Sequence, residues 1–402
     1  MKIVFLNRYF FPDYSATSQL LSDLAFDLAD RDMEVHVITG RQRYDNPKEK
    51  LASSETIRRV KIHRLGFTSF GREKLSGRLL DYLSFYVSCF FCLLKNVSAG
   101  DRVVVKTDPP MISVVAMVAI QWKRAQQINW VQDLFPELAT ALLVKARWSR
   151  ITDFLKVLRN ISYQSSLMNV VIGEQMAKRL LGEGISADRV KVISNWSDGE
   201  KVRPIARELN LLRKEWQLDG KFVVGYSGNF GRAHDFLTLL DAAEILKEDK
   251  NFIFLLIGDG YKLPWIKNEV KRRRLSNFVF KPYQDDNCLS ESLSAADVHI
   301  ISLYPDLEGL IFPSKFYGIA AAGRAVIYIG KQDGEIAEVL SREKIGYAFR
   351  VGESKIIAER LLGLSGNPNE WYQMGLNIRA FFERSLNRRL RLNQWKDLLC
   401  FT

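Results

Sequence analysis

Histidine and cysteine are scarce in this sequence, with four of each among 402 residues. The histidines are scattered, and no His/Cys spacing of the zinc type occurs. Cys89, Cys92, Cys288 and Cys400 are too few and too unevenly placed for a disulfide framework. Cys89-Phe-Phe-Cys92 has CxxC spacing, but it lies inside a continuous apolar helix with no second pair. Buried free thiols in a reducing compartment are therefore expected. There is no GxSxG, no P-loop, no short repeat and no low-complexity tract. Long apolar runs are missing too. "LLDYLSFYVSCFFCLL" (79–94) has 16 residues and carries Asp81, short of the roughly 20 that a span needs. Met1-Lys2 runs directly into the strand-like "IVFLN", so no secretory signal is read and a cytosolic chain is expected.

What the chain has is length, ordinary apolar content and excess positive charge. At 402 residues a two-domain organisation is expected. The net charge of +12 and pI of about 9.4 favour anionic partners. Stretch 79–94 carries Arg72, Lys74 and Arg78 before it and Lys95 after it. Two readings stand for it: a core helix, or a helix lying in an anionic bilayer face with headgroups on its basic flanks.

Strands and helices alternate in two series. The first contains "KIVFL" (2–6), a helix near 16–30, "EVHVIT" (34–39), "RRVKIHRL" (58–65), "DRVVVK" (101–106), "INWVQ" (128–132), "MNVVIG" (168–173) and "RVKVIS" (189–194). After the turn "NWSDGEKVRP" the second runs through "KFVVGYSG" (221–228), a helix near 235–247, "FIFLLIGDG" (252–260), "NFVFK" (277–281), a helix near 287–296, "DVHIIS" (297–302) and "YAFRV" (347–351). Continuously apolar strands alternating with helices predict doubly wound α/β sheets, twice over. The expected division is an N-terminal Rossmann-like domain over 1–203, a C-terminal one over 204–375, and helices over 376–402 returning to the first domain. Ligands of such sheets bind beyond the carboxyl ends of the strands, so a central cleft between the two domains is the expected site.

"GYSGNFGRAHD" (225–235) follows a strand and opens a helix. Gly228 and its neighbours allow a close approach of ligand to backbone, the helix start favours an anion, and Asn229, Arg232 and His234 add donors. In "EGLIFPSKFYGIAAAG" (308–323), Ser314 is placed to N-cap a helix over 315–322, with Phe312 and Pro313 before it. Lys315 works against the helix dipole there, a conflict that an anionic ligand removes. The two loops together could hold a diphosphate, with Glu308 within reach of a sugar hydroxyl. "VQDLFPEL" puts Asp133 and Glu137 just after a strand, to orient a sugar hydroxyl or to cap a helix from Leu134; Asp13 and Ser15 carry the same two readings. Asp30-Arg31-Asp32 has DxD spacing but reads as a surface turn, and "KRRR" (271–274) as a solvated helix end.

The order of "YFFPD", "VQDLFPEL", "VISNWSD", "GYSGNFGRAHDFLTLLDAA", "LLIGDG" and "PSKFYGIAAAGRAVI" resembles the retaining GT-B glycosyltransferases of family 4. Within these it resembles the WbuB-like subgroup that builds bacterial surface polysaccharides. The resemblance implies a nucleotide-diphosphate sugar held mainly by the C-terminal domain, with Tyr283 added to the donor set, and a glycan or polyprenyl-diphosphate-linked acceptor on the N-terminal one. It implies catalysis by Asp133, Glu308 and Lys315, no cofactor and no metal, and a cytoplasmic enzyme peripheral to the membrane through 72–95. The sequence departs from the family where relatives carry paired glutamates, here Leu310 and Gly318, and where they place Arg and Lys in the first phosphate loop, here Asn229 and His234. A GT-B sugar-nucleotide epimerase and an inactive GT-B scaffold stay open as alternatives. A nucleic-acid partner is not expected, because no basic groove with interleaved aromatics is legible.

Overall fold

The computed structural model describes residues 1–13, 15–43, 49–68, 70, 75–143 and 149–401. They divide into two compact units. The first holds Met1–Ser194, Leu310–Phe312 and the chain from Arg391 onward; the second holds Asn195–Gly309 and Pro313–Leu390.

In the first unit the strands are β1 (Ile3–Leu6), β2 (Val35–Gly40), β3 (Ser54–Ile57), β4 (Val60–Leu65), β5 (Arg102–Lys106), β6 (Gln126–Val131), β7 (Met168–Val171) and β8 (Val190–Val192). They form one sheet in the order β3-β4-β2-β1-β5-β6-β7-β8. All pairings are parallel except β3 with β4. The apolar runs of β1 and β5 are buried along their whole length, as parallel strands covered on both faces require. β3 was not foreseen. "SETI" is polar, and its alternating exposure is that of an edge strand with one face in solvent.

The helices of this unit are α1 (Ala16–Asp30), α2 (Leu75–Asn96), α3 (Ile112–Trp122), α4 (Glu137–Leu143), α5 (Ser149–Ser165) and α6 (Glu174–Gly182). In α1, Leu20, Leu21, Leu24, Ala25 and Leu28 recur at helical spacing and are buried. α2 packs Phe85, Cys89 and Leu93 against Val4, Leu6, Val103 and Val105. The opposite side of α2 is apolar as well: Leu80, Leu83, Val87 and Phe91 are exposed at near four-residue steps. Among the described residues no helix is long and apolar enough to cross a membrane. Of the cations expected to flank 79–94, Arg72, Lys74 and the Arg78 side chain lie outside the described residues; Lys95 is exposed. Asp30 and Asp32 end α1 in ion pairs with Arg58 and Arg59.

The second unit opens with the short helix α7 (Leu211–Glu215). Its sheet contains β9 (Phe222–Ser227), β10 (Phe252–Ile257), β11 (Phe278–Lys281), β12 (Val298–Ser302), β13 (Ala325–Ile329) and β14 (Gly346–Phe349), in the order β11-β10-β9-β12-β13-β14. Around it lie α8 (Leu237–Ile245), α9 (Leu263–Arg272), α10 (Leu289–Ser294), α11 (Lys315–Ala321), α12 (Glu335–Glu343), α13 (Ser354–Gly366) and α14 (Pro368–Ser385). The basic end of α9 corrects an expectation. Arg273 is not a solvated cation; it pairs with Asp241, Glu244 and Glu269 and so clamps α9 to α8. The last helix, α15 (Arg388–Phe401), puts Trp395 into the first unit, 4.6 Å from the Trp130 ring and fully buried.

Two Rossmann-like parallel-sheet domains are the GT-B architecture. In each sheet the chain reverses its direction of strand addition beside the first strand, β1 next to β5 and β9 next to β12. That reversal opens a crevice at the carboxyl ends of those strands.

Candidate functional site

In the second unit the loops after β9 and β10 are zipped together. Gly228 N donates to Ile257 O, and Phe230 N to Asp259 O, both at 2.9 Å. Only glycine permits this. A Cβ on Gly258 would lie 2.2 Å from Gly228 O, and one on Gly260 2.3 Å from Asn229 Oδ1, and both residues have strongly positive φ. The Tyr226 hydroxyl donates to Asn229 O at 2.8 Å, pinning the turn from below.

Lys315 reaches into this loop from the first residue of α11. Its Nζ sits 3.5 Å from the centre of the Tyr226 ring, and its Cε 3.5 Å from where a Gly228 Cβ would be. The ammonium is buried and makes no hydrogen bond. Burial holds its pKa well below the usual lysine value. A cation–π contact recovers part of the lost hydration, but among the described residues no acidic side chain pairs with it.

His234 lies beside it. Its ring accepts no charge: burial first, then the Lys315 and Lys262 cations, push its pKa down to about 3. Nδ1 faces Ser302 O at 2.6 Å, so the neutral ring carries its proton there and donates it to that carbonyl. The one N–H of the neutral ring is therefore spent on Ser302 O, whereas the sequence suggested a donor for the ligand. Lys262, which sequence reasoning missed, donates to His234 O at 2.6 Å and to the Tyr304 hydroxyl at 3.1 Å. Arg232 is exposed with its guanidinium 3.8 Å from the Tyr261 ring centre. Tyr283 is exposed too, its ring edge 3.3 Å from the position of a Gly258 Cβ. Asn229 is exposed at the tip of the turn.

Two expectations for 308–323 fail. Ser314 has helical backbone angles and its side chain makes no capping bond. Glu308 is buried and committed elsewhere: Oε1 accepts from Glu335 N at 2.8 Å at the start of α12, and Oε2 from the Tyr328 hydroxyl at 3.3 Å. It is a helix cap, favoured by the positive end of the α12 dipole, and not a ligand for a sugar hydroxyl. Pro313 is buried and belongs to the second unit, whereas Phe312 falls with the first. Gly318 has only Leu293 near the place of a side chain, 3.4 Å away.

In the first unit the loops after β1, β5 and β6 carry the acidic candidates. Asp133 Oδ1 accepts from the Thr107 hydroxyl at 3.3 Å. Burial, with the Asp108 carboxylate as second cause, raises the Asp133 carboxyl to about 6. The capping reading for Asp133 fails because α4 starts only at Glu137. Next to it stands Lys106, buried, with Nζ 3.0 Å from Thr17 O and 3.7 Å from the Trp130 ring centre. The apolar run "RVVVK" hid it, since a strand-end lysine looks solvent-bound in sequence. Glu137 is corrected from a sugar ligand to a structural anion, held by Arg159 Nη1 at 2.6 Å, in a cluster with Lys156 and Glu183. Asp13 is buried and accepts from Ser15 N at 3.0 Å, closing a turn ahead of α1; the Ser15 side chain makes no cap bond. Leu134 N donates to Leu310 O at 2.9 Å, and Asp133 bridges Ile311.

Residues 221–367 match the family described as "Glycosyl transferases group 1". The matched stretch resembles that family over the sheet of the second unit and the helices around it. WbjE of Pseudomonas aeruginosa, named as a glycosyltransferase, is 29% identical over 263 residues, covering 63% of this chain and 64% of its own length. WcaI of Escherichia coli (strain K12), whose name assigns it as a glycosyl transferase to colanic acid biosynthesis, is 24% identical over 344 residues, with 81% and 83% covered. Among solved structures, sucrose-phosphate synthase from Thermosynechococcus elongatus superposes with a TM-score of 0.79 at 15% identity, over 99% of this chain and 98% of that one. Anabaena HepE in complex with UDP-glucose gives 0.74 at 16% over 99% of both chains, and the lipopolysaccharide glycosyltransferase WaaG 0.72 at 13% over the whole of both. At such identities these likenesses show the shared GT-B fold.

Proposed function

We propose that the protein transfers a hexose-type sugar from a nucleotide-diphosphate sugar to a glycan or polyprenyl-diphosphate-linked acceptor in surface-polysaccharide synthesis, with retention and without a metal. One observation carries this reading. A buried lysine with no acidic partner among the described residues, Lys315, faces the glycine turn at Gly228. A diphosphate seated between Gly228 and Lys315 supplies the missing countercharge. HepE, a protein of the same fold, is described in complex with UDP-glucose, and WcaI is assigned to colanic acid synthesis; both support the choice of donor and product class.

In the reaction the acceptor hydroxyl oxygen bonds to the anomeric carbon on the face from which the diphosphate leaves. The bond from that carbon to the diphosphate oxygen breaks, its electron pair stays on the phosphate, and the phosphate takes the acceptor proton. Charge thus grows on the leaving oxygen, where the Lys315 ammonium stabilises it at no reorganisation cost. Exposed Tyr283 offers a face for the nucleotide base, and Arg232 a second cation. Asp133 serves the acceptor sugar from the first unit. The exposed stripe Leu80, Leu83, Val87 and Phe91 on α2, in a helix whose one acid, Asp81, is buried, suits contact with an anionic bilayer face.

A panel of nucleotide sugars screened by thermal shift tests the donor assignment, since a ligand of the native state raises the melting temperature. One nucleotide should stand out, and the shift should vanish in Lys315→Met. The anomeric proton coupling of the product reads retention. Nucleotide release at the full rate without any acceptor would favour the epimerase instead.

A further inference from the structure

Six arginines among the described residues are at least nine-tenths buried: Arg8, Arg64, Arg102, Arg159, Arg213 and Arg324. Five donate at least one guanidinium hydrogen bond to the protein, although Nε of Arg102 and of Arg324 has no partner. Arg64 donates to Phe11 O and Arg102 to Leu398 O, Arg159 to Glu137, Arg213 to Asp297 and Arg324 to Ser294 O. Arg8 alone of the six makes no guanidinium hydrogen bond or ion pair with the described residues; its Nε is buried without a partner, and 7% of the residue is exposed. The rest of Arg8 is fixed. Its N donates to Asp108 O at 3.0 Å, and its O accepts from Gly40 N at 2.9 Å and from the Thr39 hydroxyl at 3.1 Å.

Three rings line the guanidinium. Its central carbon is 5.3 Å from the centres of Tyr9 and Phe67 and 5.2 Å from that of Tyr82 on α2. Such a cage removes water from a cation and holds its plane, but it supplies no countercharge. Position adds a second argument. Arg8 is two residues past β1 and bonded to the loop after β5, so it sits at the strand reversal of the first sheet, where ligands of open parallel sheets bind. The exposed apolar stripe of α2 continues on the helix that provides Tyr82.

We propose that Arg8 is an anion site of the first unit and binds the diphosphate of a lipid-linked acceptor. A planar guanidinium with free N–H groups matches two phosphate oxygens at once, and the tail leaves along the apolar surface of α2. The naming of this anion as the acceptor's rests on the transfer reading above; the anion site does not.

Titrating farnesyl diphosphate, farnesol and inorganic pyrophosphate calorimetrically into the full chain tests this. The titrations are done in wild type and in Lys315→Met, where the donor pocket cannot report the anion. Farnesyl diphosphate should bind both. Arg8→Met should weaken it about tenfold or more, Arg8→Lys less so, because one ammonium replaces a two-point contact. Arg8→Met should melt at or above the wild-type temperature, since an uncompensated cation gives way to an apolar chain that fills the cage. Unchanged binding in Arg8→Met overturns the proposal, as does binding that disappears in Lys315→Met while Arg8 is intact. A melting temperature far below wild type, restored by Arg8→Lys, would make Arg8 a structural plug. Pyrophosphate binding as tightly as farnesyl diphosphate keeps the anion site and overturns its lipid source. If Arg8-dependent binding persists while no nucleotide sugar is used, the transfer reading falls and the site stands. Arg8-independent binding beside intact turnover has the opposite meaning.

Discussion

Replacing Lys315 by methionine perturbs stability and ligand binding in opposite directions. In the free protein the Nζ is buried over Tyr226 with no hydrogen-bond partner, and burial holds its pKa well below 10.5. Each unit of that depression costs about 1.4 kcal/mol of folded-state stability at pH values below the folded pKa. The folded pKa is the lower one, so unfolding takes up a proton and stability climbs as pH rises towards 10.5. Lys315→Met removes that slope and should raise stability at pH 7 by about 1–3 kcal/mol. Nucleotide binding should suffer. Losing one or two charge-assisted contacts to a diphosphate costs about 2–4 kcal/mol, or roughly 30- to 1000-fold in Kd. Urea unfolding between pH 6 and 9, with calorimetric titration of UDP, measures both. A variant less stable than wild type at neutral pH, with UDP affinity intact, would refute the countercharge argument.

Asp133→Asn should stabilise the protein above pH 6. The folded carboxyl titrates at about 6, above its ordinary 3.8, so ionisation costs stability as pH rises through that range, by about 2–3 kcal/mol at pH 8. Thermal melts of the pair should converge near pH 4; a constant offset across the range contradicts the assignment. Gly258→Ala should destabilise by about 2–4 kcal/mol and abolish nucleotide binding, because its Cβ would meet Gly228 O at 2.2 Å; a soluble, binding-competent variant would mean the two loops are not zipped. Glu308→Ala should lower stability by about 1–2 kcal/mol through loss of the α12 cap while leaving UDP affinity within about threefold. A large affinity loss without destabilisation would restore Glu308 to the ligand site.

Much of this molecule was legible in one dimension. Apolar runs such as "IVFL" and "FIFLLI" are strands because only parallel strands covered on both faces tolerate them, and Gly228 with its neighbours in 225–235 announced a loop that can approach a ligand closely; the part of Gly258 and Gly260 emerged only from the fold. Lys315 was legible as well, from its conflict with the helix dipole. Carboxylates were not. Glu308, Glu137 and Asp133 looked alike in sequence, as acids in loops or first turns near strand ends. Folding made one a cap on α12, one an anion for Arg159, and one a buried carboxyl near Lys106 whose pKa is raised to about 6.

The sequence by itself determined the alternation of strands and helices and the glycine positions, because these depend on local periodicity and on φ/ψ limits that each residue carries with it. Which charges are balanced depends on neighbours far along the chain. Arg8 and Arg159 are both buried arginines, yet only the tertiary arrangement of β1, α2 and α5 leaves the first with three rings and the second with two carboxylates. Countercharge is a property of space, and three-dimensional packing alone decided where it is missing.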